Sequence, residues 1–168
     1  MFKIGDVIVY SLHGLSQIDD ICEKKLADET KTCYVLHPLD QPNLTIITPV
    51  DNEKVVMLKM MDRGEAKEIV ESFRQPGIKW IASDRERTTK FKSLIKTGDR
   101  RQISDIANTL MRKHHELNMN QKKLYEQDRK CLKTIQDILF VELAMSLNTT
   151  VEKISIKITN MINEQAIS

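Results

Sequence analysis

Residues 79–92, KWIASDRERTTKFK, set the only tryptophan of the chain, Trp80, directly ahead of Arg85, Arg87, Lys90 and Lys92. Side chains of these types can do two kinds of work. Guanidinium and ammonium groups pair with phosphate oxygens and give an affinity that falls with salt. An indole carried on a loop can press against or between bases in a minor groove. A plainer arrangement fits the same string, with the tryptophan at a core edge and the cations in solvent. Residue types alone leave both open. Lys96, Arg100, Arg101, Lys122, Lys123, Arg129 and Lys130 extend the run of cations.

Charge is distributed unevenly along the chain. Residues 1–60 hold six lysines and no arginine against nine acidic residues, a net of −3. Residues 79–133 hold fifteen basic residues against seven acidic ones, a net of +8. An acidic front and a basic middle predict two surfaces with different partners.

Enzyme chemistry finds little footing. The five glycines stand singly at 5, 14, 64, 77 and 98, so there is no phosphate-cradling loop. Neither a GxSxG nor an HExxH is present. The small acidic cluster Asp19, Asp20 and Glu23 reads as a solvated strand end. Three cysteines, Cys22, Cys33 and Cys131, lack CxxC spacing and predict free thiols in a reducing cytoplasm. His114 and His115 would point about 100° apart on a helix, so no metal and no cofactor are expected. No apolar run reaches membrane-spanning length, and MFKIGDVIVY, with Asp6 inside it, does not look like a signal peptide.

The elements that would position these residues fall into two kinds. Short β-rich runs at 6–10, 32–39, 44–50 and 54–58, with LSQIDDI after Gly14, predict a small curled sheet or barrel. Pro38 and Pro49 must then lie at strand ends or edges. From Asp62 the apolar period becomes helical, with Ala66, Ile69, Val70 and Phe73 on one face. Ser83 with Glu86, Asp99 with Gln102, and Thr149 with Glu152 are candidate capping boxes for later helices. A long helix is expected over 125–147, with Leu132, Ile135, Ile138, Leu139 and Leu143 on one side, and a last one faced by Val151, Ile154, Ile158, Met161 and Ile162. The boundary between the two regions is expected near residue 60, and the fold class is α+β.

Four stretches in this order resemble the CarD/CdnL family of bacterial RNA polymerase-binding transcription regulators. They are FKIGDVIVYSLHGL, YVLHPLDQPNLTIITPVDN, KWIASDRERTTKFKSLIKTGD and LYEQDRKCLKTIQDILFVELAMSL. The resemblance covers nearly the whole chain, although Ser11 stands where the family has a proline after the first strand. It implies a Tudor-like β barrel over 1–60 that docks on the polymerase β subunit, and a helical DNA-binding domain over 61–168. It further implies that Trp80 wedges into the minor groove at the upstream edge of the transcription bubble, stabilising melted promoter DNA. Arg85, Arg87, Lys90, Arg129 and Lys130 would be its DNA-binding neighbours. The polymerase-binding candidates are Lys24, Lys25, Ile46, Ile47, Thr48 and Lys59. On this basis the protein is expected to be a non-enzymatic, monomeric, cytoplasmic and nucleoid-associated regulator. A protein–protein adaptor without DNA contact, and a DNA-binding protein that acts without polymerase, are the competing readings.

Overall fold

The computed structural model describes residues 1–10 and 13–167, so Ser11 lies outside the described residues. Two compact units divide it, Met1–Met60 and Met61–Ser168.

The first unit is a five-stranded antiparallel sheet. Its strands are β1 (Val7–Tyr10), β2 (Gly14–Leu26), β3 (Glu29–Pro38), β4 (Ile46–Pro49) and β5 (Met57–Lys59), in the order β4-β3-β2-β1-β5. Alternation explains its core. Ile8, Tyr10, Ile18, Tyr34 and Leu36 turn to one side and are buried together, with Ile46, Val50 and Met57 at the margin. The second strand runs further than its apolar positions suggest, pairing with β3 as far as Leu26 opposite Glu29. Ladder hydrogen bonds, not side-chain burial, sustain that polar end. One extra residue, Asp19, breaks the β2–β3 register between Ile18 and Asp20. The bulge aims its carboxylate at His37 Nδ1, 2.7 Å away. Pro38 and Pro49 are the last residues of β3 and of the edge strand β4, where a missing N–H costs little.

The second unit is helical: α1 (Arg63–Ser72), α2 (Asp84–Lys96), α3 (Arg100–Met119), α4 (Glu126–Ile135), a π turn (Gln136–Phe140), α5 (Val141–Ser146) and α6 (Val151–Ile167). Local chemistry sets several ends. Ser83 accepts from the Glu86 N–H and Asp99 from the Gln102 N–H, so both residues do N-cap helices. Gly98, at φ 70°, makes the left-handed break between α2 and α3. The last helix is capped one residue later than expected: Thr150, not Thr149, accepts from the Lys153 N–H. Phe73, Phe91, Ile106, Leu110, Leu132, Leu139, Phe140, Leu143, Ile158 and Ile162 belong to one continuous core. Val151, expected on the buried face of α6, is exposed instead. Among the described residues no helix is long and apolar enough to cross a membrane.

Candidate nucleic-acid interface

Trp80 lies in the loop between α1 and α2, and α3 holds that loop at several points. The Ile78 N–H donates to Thr109 Oγ1 at 2.7 Å. Asn108 Nδ2 donates to the Gln75 carbonyl at 2.7 Å, and an Arg112 Nη donates to the Phe73 carbonyl, also at 2.7 Å. Gly77 is demanded by this contact. A methyl group there would collide with Thr109 Oγ1 and stand 2.8 Å from the Thr109 nitrogen. A loop tied down in this way carries its tryptophan as a defined feature of the surface.

The indole itself is half-buried, resting against the helical core. The Arg87 guanidinium carbon lies 4.2 Å from the ring centroid and Lys113 Nζ lies 5.0 Å from it. Both are within cation–π range.

Arg87 corrects an expectation. Its residue type suggested a phosphate contact, but it is 1% exposed. Nε donates to both Asp128 oxygens at 3.0 Å, and one Nη donates to Asp128 Oδ2 at 2.5 Å and to Asp84 Oδ1 at 2.6 Å. The other Nη donates to the Ile81 carbonyl at 2.8 Å. Burial works against this charge, yet the bonds from Asp128 and Asp84 outweigh it and hold the guanidinium above its ordinary value. A cation so buried, with its N–H edges turned to Asp128, Asp84 and Ile81, is not presented to a phosphate. Arg100 is drawn inward likewise, with Nε 2.7 Å from Glu142 Oε1.

The remaining basic candidates do reach solvent. Arg85 and Lys90 are exposed on α2, but on different flanks, since Arg85 shares its line with Lys92 and Lys96 at i, i+7 and i+11. Arg129 and Lys130 are exposed on α4 and share Glu126, each 3.7 Å from its carboxylate. Lys92 and Lys130 flank a cavity of about 260 Å³ between α2 and α4, floored by Phe91, Ile95 and Cys131. Burial there, with the Asp128 charge adding to it, pushes the Cys131 thiol up to about 11.

In the sheet unit the candidates separate. Lys24 and Lys25 are exposed near the β2–β3 turn, opposite Lys31 and Thr30. Strand β4 alternates: Ile46 leans on the core, Ile47 is 47% exposed, and Thr48 is buried. Thr48 therefore corrects a second expectation, because its hydroxyl faces inward and accepts from Asn52 Nδ2 at 3.0 Å. Lys59 is exposed on β5, at the other end of the strand order from β4.

Asp128, Lys113 and Thr109 were not legible as parts of the site. One signal was available for Arg87: it falls at helical spacing with Phe91, Leu94 and Ile95, the inward stripe of α2.

Two family models match the chain. CarD-like/TRCF RID domain covers residues 2–61, and CarD, C-terminal domain covers residues 58–159. The chain belongs to the CarD-like family. It is also similar to "Putative transcription factor YdeB" of Bacillus subtilis (strain 168), with 29% identity over 129 residues, 75% of this chain and 84% of that protein. The α+β, Tudor-like reading of the fold agrees with these matches and with the sheet and helices described.

Proposed function

We propose that this CarD-like transcription regulator binds the RNA polymerase β subunit through its sheet unit and promoter DNA through its helical unit, so that open complexes are stabilised. The observation that carries the reading is Trp80: a large apolar side chain held on a braced loop, half out of the core, in a unit whose surface bears Arg85, Lys90, Arg129 and Lys130. Exposed cations supply phosphate contacts without base specificity. The indole supplies an apolar tip that stacks where base pairs are parted. On the polymerase side, β4 is an edge strand, bonded among the described residues to β3 alone. Its backbone fits strand addition, with Ile47 as the outward side chain. This is a role for the strand that does not need the Thr48 hydroxyl.

No covalent step is involved. A protein that contacts the open complex better than the closed one shifts that equilibrium by its differential affinity, about 1.4 kcal/mol for each tenfold. The test is the dissociation rate of open complexes formed by purified bacterial RNA polymerase, alone, with the wild type and with Trp80→Ala. Slower dissociation that is largely lost in the variant is the expected result. Equal rates in all three, at concentrations where polymerase binding is measured directly, would leave a protein–protein adaptor.

A further inference from the structure

We infer that Arg87, clamped by Asp128, is a positioning residue for Trp80: the buried ion pair presets the indole for its partner. The inference rests on the reading of Trp80 as a DNA contact, but its structural half stands apart from it. Arg87 holds the tryptophan segment at two points, its guanidinium against the indole at 4.2 Å and its Nη on the carbonyl of the next residue, Ile81, at 2.8 Å. The guanidinium plane is itself fixed. Asp128 takes Nε and one Nη, while Asp84 takes that same Nη from the near end of α2. The chain of restraint runs from α4 through Asp128 and Arg87 to the Trp80 ring.

The placement needs a reason beyond stability. A buried ion pair gives little net stabilisation, and apolar residues of similar volume often serve as well or better. A planar cation under an aromatic ring does what an aliphatic side chain cannot: it favours one stacked orientation of the indole. Ordering a side chain at an interface costs about 0.5–1.5 kcal/mol. Here that cost is met when the protein folds, before any nucleic acid arrives.

Trp80, being the only tryptophan, reports its own freedom through its fluorescence. Time-resolved anisotropy and acrylamide quenching of the free protein should be measured for wild type, Arg87→Lys, the double variant Arg87→Met/Asp128→Leu, and Glu142→Gln. The double variant removes the clamp while leaving no buried charge unpaired, so it folds where a single truncation could fail. Glu142→Gln disturbs a second arginine–carboxylate pair, whose carboxylate is as buried as Asp128 and which lies away from the tryptophan. Both Arg87 variants are expected to give Trp80 a fast local motion and greater quenching, with Glu142→Gln like wild type. Open-complex lifetimes with the Arg87 variants should fall roughly two- to tenfold, the equivalent of one side chain left to be ordered on binding. Polymerase affinity should not change.

Unchanged anisotropy and quenching in the folded Arg87 variants would overturn the inference, as would equal mobilisation by Glu142→Gln. Mobilised tryptophan with unaltered lifetimes, where Trp80→Ala does shorten them, would overturn its functional half. If Trp80→Ala has no effect either, the DNA reading fails and the positioning role of Arg87 stands.

Discussion

Two buried arginine–carboxylate pairs brace the helical unit, and they differ in what they touch. Arg100 and Glu142 join α3 to α5, and Glu142 also accepts the Met61 N–H at 3.3 Å. That pair serves helix ends and chain entry, and Arg100 also lies 3.8 Å from Glu65 in the first turn of α1. Arg87 and Asp128 join α2 to α4 with similar geometry, yet the flat face of that guanidinium lies against a half-exposed tryptophan. One pair closes a fold, and the other passes its rigidity outward to the surface. The difference shows that burial of a charge by itself is not a mark of function; its neighbour decides.

The comparison can be broken most severely at Asp128. Asp128→Ala strands a buried guanidinium with only Asp84 and the Ile81 carbonyl, and should cost about 3–5 kcal/mol, read from urea unfolding. A loss under about 1 kcal/mol would mean that water reaches Arg87 freely, as at a surface pair.

Gly77→Ala addresses the other support of the tryptophan. Its methyl group must displace Thr109 or the loop, so a cost of about 1–3 kcal/mol is expected, with a shift in Trp80 emission. Full stability would show that the loop moves away from α3 without penalty.

The smallest effect sharpens the contrast from the side of Glu142. Burial lifts this carboxyl above its ordinary range, against the opposing pull of Arg100. Its contribution to stability is therefore fully present below the unfolded value and is lost as pH rises through the folded one. Glu142→Gln, which keeps an acceptor but cannot ionise, should lose about 1–2 kcal/mol at most, and its stability should decline less than that of wild type over this range. Parallel pH profiles for the two proteins would place the titration elsewhere.

How far residues could be read depends on how local their causes are. The Ser83–Glu86 and Asp99–Gln102 caps were legible because a side chain and an N–H three residues apart meet whatever else the fold does. The β-branched run of β1 and the apolar stripe of α1 were legible for the same reason. Arg87 was misread because residue type was weighed above helical phase: its spacing with Phe91 put it inside, and only Asp128, forty-one residues away, explains how a cation can lie there. Thr48 was misread in the same sense, since alternation with Ile47 turns it inward. The length of β2 rests on pairing with β3 and has no local sign.

The π turn at Gln136–Phe140 has a consequence for the whole of the long helix. A wider turn takes up one residue more than an α-helical one, so the helix slips phase there by roughly 100°. Upstream, Leu132 and Ile135 keep the stripe counted from the start of the helix; from the turn onward Leu139 and Leu143 stay buried, Phe140 and Ala144 join them, and Ile138 is only half-buried. Glu142 reaches Arg100 from the far side of that slip. The helix is in effect a two-segment vernier, in which adding or removing a single residue at the turn would re-aim everything after it while leaving Asp128 and the tryptophan support where they are.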